Sequence, residues 1–531
     1  MKNVGCAALT IVLLLASLLL AGPAQAQKQG GTLRVWHRDS PGNMSILEEG
    51  TISIVAPIMG VFNNLVVFDP NVKQNSLKSI VPDLAESWAW SEDGAELTFK
   101  LRDGVKWHDG KPFTAQDVKC TFDLVQGKAK EKLRVNAREA WWINLKEVTT
   151  EGDRQATFHL KRPQPAFIEL LASGFTPIYP CHVSPGEMRA HPIGTGPFKF
   201  VEFKPNQSIR VTRNPDYWKP GRPYLDGAEW TIIPNRSTAM LAFMAGNFDM
   251  TFPYEVTIPM LKDVHGQLPE AICEVAPLNV APNLLVTRKP PFDNLELRRA
   301  IAMTIDHKAF IDILGEGQGD IGTAMLPAPE GLWAMPKEMM EKLPGYDPDV
   351  QKRREEARKI MQSLGYGPNK RLAVKISARN LPIYRDPASI LADQLKQIWI
   401  DTELDLVETA NWLPRLIRGD FVFAQSLLGS GLDDPDQNFY ENYICDSNRN
   451  YTKYCNRDLD KLIDQQSMEP DQEKRKHLVW QIDSKLQEDV VRPILYHMRQ
   501  GTCWRPEVKG VNLQVNSIYN GWRLEEIWLD K

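Results

Sequence analysis

The stretch TFKLRDGVKWHDGKPFTAQDVKC, residues 98–120, does most to indicate the fold, and its first half has the pattern of a strand. Apolar and polar residues alternate over 97–102, which predicts a strand with one buried face. The Asp-Gly pair at 103–104 is a preferred tight turn, so we expect a hairpin whose return strand includes Val105 and Trp107.

The second half of the stretch predicts a turn followed by a helix. A second Asp-Gly pair stands at 109–110, and Thr114 precedes Asp117 by three residues, the spacing of a helix N-cap with a capping box. His108 and Asp109 therefore fall on turn corners. A zinc site would need further ligands at a fitting spacing, and none lies nearby in the sequence. We expect a structural role for both residues.

The first 26 residues have the pattern of a secretory signal peptide. Lys2 precedes an apolar run over 7–20, and Ala-Gln-Ala at 24–26 is a small-x-small cleavage signal. The run is short for a membrane-spanning helix. Cys6 precedes the run, whereas the cysteine of a lipoprotein follows it. We therefore expect a soluble, exported, periplasmic chain that begins at Gln27.

Charge and cysteine content describe the exported chain further. The 531 residues carry a formal net charge of −4, which argues against nucleic acid as the main partner. The cysteines after the predicted cleavage site are at 120, 181, 273, 445, 455 and 503. An even number in an oxidising compartment favours disulfides. Cys445 and Cys455 bracket a polar turn, which predicts a local bridge. The pairing of the other four stays open, as does the alternative of free buried thiols.

A longer set of segments carries a family resemblance. PDLAESW at 82–88, SEDG at 91–94 and the opening stretch resemble the signature region of extracellular solute-binding proteins of the peptide/nickel type, which serve ATP-binding-cassette importers. Further segments follow in the order of that family: NNLVVFDP (63–70), PIGTGPFKF (192–200), RNPDYW (213–218), LAFMAGNFDM (241–250) and PPFDNLELRRAIAMTIDHKAF (290–310). The resemblance covers essentially the whole mature chain.

The resemblance implies an α/β fold with two hinged lobes and an extra subdomain on the first lobe. The implied division is residues 27–60, 192–285 and 500–531 for lobe I, 61–191 for the subdomain and 286–499 for lobe II. It also implies that a small solute or peptide is enclosed between the lobes and delivered to the importer's permease. We expect a monomer without a cofactor, without nucleic acid and without catalytic residues.

Local patterns in the second half fit helices alternating with strands. Asp293 and Glu296 have the spacing of a capping box, and apolar residues then recur every four positions from Leu297. Residues 390–399 predict a further helix, and residues 402–407 a strand.

The first candidate ligand segment is WHRDSPGNM, residues 36–44, where the resemblance places a ligand-facing loop. Arg38 and Asp39 would pair with charges on the ligand, and Met44 would line the cavity. The alternative is that Arg38 and Asp39 pair with each other at the surface.

The second candidate segment is SLLGSGLDDPDQNFY, residues 426–440. In the peptide-binding branch of the family, the segment before Asp-Pro-Asp carries a tryptophan and then an aspartate that holds the peptide ammonium. Counting back from residues 434–436 without gaps places that aspartate at Gly431 and the tryptophan at Leu428, so the ammonium anchor is missing. A loop shift that restores Asp433 to the role is the alternative. The candidates here are Gly429, Ser430, Asp433 and Tyr440.

Three further candidates can contact organic ligands. The rings of Tyr384 and Trp412 can stack on a ligand, and Arg415 can bind a carboxylate with two hydrogen bonds. Ligand classes stay open between short peptides, non-peptide organics such as opine or sugar derivatives, and nickel or another metal chelate. For the chelate, His37 and Met44 would be the residues.

Catalytic patterns are missing from the sequence. There is no Gly-x-Ser-x-Gly, His-Glu-x-x-His, Cys-x-x-Cys or glycine-rich phosphate or dinucleotide loop. An exported hydrolase with an unrecognised carboxylate pair and a periplasmic chaperone remain as alternatives to the binding protein.

Overall fold

The computed structural model describes residues 27–278, 280–429 and 431–531. The predicted signal peptide, 1–26, and the candidate Ser430 lie outside the described residues. Among the helices of the described ranges, none has both the length and the apolar content needed to cross a bilayer.

The strands and helices alternate along most of the chain. The strands are β1 (Thr32–His37), β2 (Val66–Phe68), β3 (Ile80–Pro82), β4 (Ala85–Trp90), β5 (Glu96–Leu101), β6 (Leu145–Glu151), β7 (Gln155–Leu160), β8 (Phe198–Lys204), β9 (Ser208–Arg213), β10 (Gly227–Ile232), β11 (Ile272–Pro277), β12 (Val280–Val286), β13 (Gly319–Asp320), β14 (Leu372–Arg379), β15 (Ile400–Val407), β16 (Phe423–Gly429), β17 (His497–Trp504), β18 (Val508–Lys509) and β19 (Trp528–Leu529). The helices are α1 (Ile52–Ile58), α2 (Ala115–Val125), α3 (Phe167–Ala172), α4 (Pro185–Ala190), α5 (Arg236–Met244), α6 (Ile258–Gln267), α7 (Leu295–Thr304), α8 (His307–Gly315), α9 (Lys337–Met340), α10 (Val350–Ser363), α11 (Pro382–Leu395), α12 (Thr409–Arg418), α13 (Pro435–Asn442), α14 (Arg457–Met468) and α15 (Gln472–Glu488).

Three larger sheets organise these elements. The first has the order β1-β10-β9-β8, and Met250 bridges β1 to β17, which pairs with β11. The second is mixed, with the order β12-β16-β14-β15. The third is antiparallel, β4-β5-β7-β6. The chain enters the second sheet between β11 and β12 and returns to the first through β17. The result is two α/β lobes with an additional antiparallel sheet.

The opening stretch builds the core of the third sheet. The residues of β5 that the alternation predicts to point inward, Leu97, Phe99 and Leu101, are buried. The ring of Phe122 on α2 meets Phe158 on β7 edge to face, with centroids 4.7 Å apart. The predicted strand is therefore confirmed, because its apolar face has a helix to cover it.

The predicted hairpin at 103–104 is wrong. β5 pairs with β4 on one side and β7 on the other, so neither edge is open to residues 105–107. Residues 105–107 pair instead across the next turn, where a single β-bridge joins Lys106 to Pro112 around residues 109–110.

Helix starts follow the local chemistry more closely than strand partners do. The Asp117 carboxylate accepts the Thr114 backbone N–H at 2.9 Å, which confirms the predicted capping box of α2. The predicted cap of α7 is one residue too early: Asn294, not Asp293, accepts the N–H groups of the first turn. Both amide and carboxylate side chains cap helices well, so the spacing alone does not separate them.

Each described cysteine lies in a disulfide. The predicted Cys445–Cys455 bridge is confirmed. The pairs that the sequence left open are Cys120–Cys181 and Cys273–Cys503. Cys273 and Cys503 are opposite one another in the register of β11 and β17.

Candidate ligand-binding site between the lobes

A buried ion pair joins the two lobes. Arg379, the last residue of β14, donates to the Asp39 carboxylate at 2.9 Å. Asp39 follows β1 in the first sheet, 340 residues away in sequence. The two side chains are only 7% and 11% exposed. The site between the lobes is therefore built around a charge-assisted hydrogen bond shielded from water.

The electrostatics of Asp39 are set by two arginines. Burial alone would raise the pKa of its carboxyl, but the charges of Arg38 and Arg379 more than offset this and hold the pKa below its usual value. The Asp39 Oδ1 atom has no hydrogen-bond partner among the described residues. Asp39 is thus an anion at neutral pH, with one oxygen left for a further donor.

Arg38 is positioned mainly by the first lobe. Its guanidinium donates to Glu255 at 2.6 Å and lies 5.3 Å from the Phe252 ring centroid. Glu255 also accepts from Arg236 at 2.6 Å. The distance from Arg38 to Asp39 is 3.8 Å. Arg38 and Asp39 do pair, but both are largely buried and each has a closer partner, so the alternative of a surface pair is wrong.

The two aromatic candidates lie together in the second lobe. The rings of Tyr384 and Trp412 meet edge to face at 5.9 Å, and the Arg379 guanidinium lies 5.6 Å from the Tyr384 centroid. Trp412 is buried in a small core that includes Val407 and Leu416. Tyr384 is therefore beside the interlobe ion pair, and Trp412 supports it from behind.

Three other candidates are held by contacts within the protein. Arg415 pairs with Asp405 at 2.6 Å. The Tyr440 hydroxyl donates to Asp464 at 2.6 Å. Met44 is fully buried in the main core. These contacts occupy the groups that were expected to reach a ligand.

Asp433 joins two chain segments through one of its carboxylate oxygens, Oδ2. Its carboxylate accepts the Leu332 N–H at 2.8 Å and the Asn516 amide at 3.2 Å. Burial raises its pKa to about 7. Its Oδ2 therefore holds these two chain segments together.

Gly431 and Gly429 lie against aromatic groups. A Cβ on Gly431 would be 3.4 Å from the Phe175 ring and 3.6 Å from the Trp141 ring. A Cβ on Gly429, at the end of β16, would be 3.3 Å from the Tyr519 hydroxyl. The ring centroids of Phe175 and Tyr519 are 4.7 Å apart. The glycines allow the backbone to pack closely against these buried rings.

Sequence reasoning missed several residues of this region. They are Arg138, Trp141, Phe175, Arg379, Arg449 and Tyr519. The Ala-Trp-Trp run that follows Arg138 and Glu139 was a signal of an aromatic wall, but nothing local indicated which chain segment it would meet.

The histidines considered as metal ligands are committed to the backbone. His37 Nε2 lies 2.8 Å from the Ser53 carbonyl oxygen. His108 Nε2 lies 3.0 Å from the Gly196 carbonyl oxygen, and its Nδ1 accepts the Gly194 N–H at 3.3 Å. Across the described ranges, no group of three or more His, Cys, Asp or Glu residues is arranged to hold a metal ion.

Two lobes joined by a shielded contact and lined by aromatic and charged groups define a solute-binding protein of the two-lobe class. The chain belongs to the bacterial extracellular solute-binding proteins, family 5, whose middle region matches residues 79–450.

Relatives and solved structures agree with this assignment. The chain is 27% identical to the probable di/tripeptide-binding protein 5 of Pseudomonas aeruginosa, over 95% of this chain and 96% of the relative. It is 30% identical to heme-binding protein A of Haemophilus influenzae, over 79% and 78%. The structure of AgaA from A. tumefacien R10 in complex with agropinic acid has a TM-score of 0.82 at 22% identity, covering 94% of this chain and 99% of that one. The last likeness concerns the fold.

Proposed function

We propose that this protein is the periplasmic binding component of an ATP-binding-cassette importer. It captures a small organic solute between its lobes and delivers it unchanged to the membrane permease. The proposal includes export after cleavage at residue 26, a monomeric state and the lobe boundaries predicted from the sequence. Family membership supports the class, and the geometry supports the mode of action.

The Asp39–Arg379 ion pair is the observation that carries the proposal. It joins the loop after β1 to the end of β14, so it links the two lobes directly. A ligand that touches both lobes adds contacts to the closed form alone, so it shifts the population toward closure. The permease would then recognise the closed shape.

The ligand is a small organic solute recognised by charge and aromatic stacking. The names of the relatives cover di/tripeptides and heme, so the family does not fix one chemistry. Among the predicted residues, we propose Arg38, Asp39, Tyr384 and Gly429 as the ligand-facing set. Ser430 follows Gly429 directly and belongs to the same proposal.

Native mass spectrometry combined with X-ray scattering tests the function. The purified protein is stripped of bound solute by denaturant and refolded with its disulfides intact. We expect a small-molecule fraction of cell extract to bind at one equivalent, to decrease the radius of gyration, and to be recovered with its mass unchanged. A saturating solute that leaves the scattering curve unchanged, or that is recovered chemically altered, would contradict the proposal.

A further inference from the structure

The place where the family resemblance predicts an aspartate lies against two aromatic rings that also carry a buried arginine. Gly431 has no side chain there, and the rings of Phe175 and Trp141 flank its Cα. The Arg138 guanidinium lies on the same two rings, 3.3 Å from the Phe175 centroid and 5.3 Å from the Trp141 centroid. We call Arg138, Trp141, Phe175, Gly431 and Arg449 the arginine pocket.

Arg138 is buried with little compensation. The residue is 8% exposed, and its Nε has no hydrogen-bond partner among the described residues. Its Nη1 makes one long hydrogen bond, 3.4 Å, to the carbonyl oxygen of Glu49. Burial lowers the pKa of Arg138 to about 10, so it stays charged at neutral pH. The charge of Glu441 opposes this shift but does not cancel it. A buried cation that is only partly neutralised is costly, and aromatic faces offset only part of that cost.

A second guanidinium faces the same place. A Cβ on Gly50 would lie 3.9 Å from Arg449 Nη1 and 4.0 Å from Arg138 Nη1, so both cations border one short piece of backbone. Arg449 Nη1 pairs with Glu441 at 2.5 Å, but its Nε is buried without a hydrogen-bond partner in the part of the chain that the structure describes.

Glu441, the carboxylate that faces both arginines, already accepts hydrogen bonds from other side chains. Besides Arg449, Glu441 accepts the Trp141 indole N–H at 2.9 Å and the Gln437 amide at 2.7 Å. The charge of Glu441 also acts on a third buried guanidinium, that of Arg492. Arg492 donates to Asn442, a neutral amide, at 2.7 Å. Three arginines therefore share the charge of Glu441.

We propose that Arg138 and Arg449 bind a carboxylate of the ligand beside Gly431, so that this protein selects anionic solutes where peptide-binding relatives select an ammonium group. The inference rests on the proposed function and specifies its substrate class. The anion completes the charge balance of the arginine pocket, and the planar guanidinium of Arg138 offers it the Nε donor. An ammonium at this point would face the incompletely neutralised guanidinium of Arg138 and a second cation, Arg449.

Paired ligands and two opposite variants test the proposal. The probes are a dipeptide library with free amino groups and the same library N-succinylated, which puts a carboxylate in place of the ammonium. Binding to each is measured by native mass spectrometry and calorimetry. We expect the wild type to retain succinylated members, and Arg138→Gln to weaken them about 10- to 100-fold, the value of a charge-assisted hydrogen bond in a dry site. Arg138→Lys should recover part of the loss.

Gly431→Asp tests the same idea without removing an arginine. The added Cβ would meet its nearest atoms at 3.4–3.6 Å, which are ordinary van der Waals distances, so it fits. The added carboxylate neutralises Arg138, so we expect succinylated ligands to be lost and free-amino ligands to gain. Arg134→Gln, at an exposed arginine of the same segment, is the matched control and should change neither.

The outcomes separate this inference from the proposed function. Preference of the wild type for free-amino peptides, retention of neither library, or unchanged selectivity in Arg138→Gln and Gly431→Asp each overturns carboxylate selection. The proposed function survives all three results as long as some extract solute closes the lobes. If no solute closes them, the function itself fails.

Discussion

Removal of the Arg379 side-chain charge should weaken ligand binding by loosening the closed form. Arg379→Met keeps most of the apolar stem and deletes the 2.9 Å hydrogen bond to Asp39. A hydrogen bond to a charged group contributes about 1.5–3 kcal/mol. Both partners are nearly buried, but opening returns them to water and recovers part of that energy. We therefore expect a loss of about 1.5–3 kcal/mol at most, or roughly tenfold to hundredfold in affinity.

The assay is a double-mutant cycle read by calorimetry and scattering. Because Arg379 makes other contacts as well, the single variant alone does not isolate the pair. Asp39→Asn removes the same interaction from the other side, and the double variant should lose little more than either single variant. The ligand is the solute recovered from the wild type by mass spectrometry. If the double variant lost the sum of the two single-variant losses to within about 0.5 kcal/mol, the reasoning would be refuted, because the effects of removing two interacting partners are not additive.

Three further predictions concern stability and the discarded candidates. Burial lowers the pKa of His108 from 6.5 to about 4. As the pH falls, the unfolded chain therefore binds the proton before the folded chain does. The stability that His108 contributes is complete above pH 6.5, and about 3 kcal/mol of it is lost as the pH falls toward 4. His108→Gln should flatten that part of the urea-unfolding pH curve, and an unchanged slope would contradict this assignment. Replacing Cys273 and Cys503 by serine opens a loop of 230 residues and should lower the unfolding free energy by about 5 kcal/mol. Removing the Cys445–Cys455 bridge, with its sequence separation of 10, should lower it by about 3 kcal/mol. Equal losses from the two replacements would argue against an effect of loop length. Arg415→Ala should leave ligand affinity unchanged, because its guanidinium is held by an aspartate, and a tenfold loss in calorimetry would return it to the site.

The parts of the fold that depend on neighbouring residues were predictable. The period of β5 and the cap of α2 are set by residues within a few positions, so the opening stretch predicted both. The hairpin at 103–104 failed for the opposite reason. A turn sequence states that the chain can reverse there, but whether the two arms pair depends on which strands already occupy the edges of β5.

The candidate site shows the same limit of sequence-based prediction, because its contacting residues are far apart in the sequence. Arg38 and Asp39 were identified from their position after the first strand, yet their partners Glu255 and Arg379 lie 217 and 340 residues further along. Tyr384, which its ring alone makes a candidate, lies beside that ion pair. The carboxylate makes Asp433 a candidate in the sequence, and only the structure shows that its Oδ2 accepts from Leu332 and Asn516.

The departure at Gly431 was visible in the sequence, but its meaning was not. Loss of an aspartate can leave a neutral hole, which a larger apolar ligand fills, or an uncompensated cation, which requires an anion. The two cases differ in what lies near the glycine, and here Arg138, far earlier in the chain, packs on the same two rings. The guanidinium is already buried beside a carboxylate, Glu441, that it shares with other arginines. Its desolvation cost was therefore met in folding, and an incoming carboxylate gains the attraction without desolvating that guanidinium again. A neutral ligand of the same shape gains nothing from Arg138, so ligand charge should dominate selectivity in this pocket.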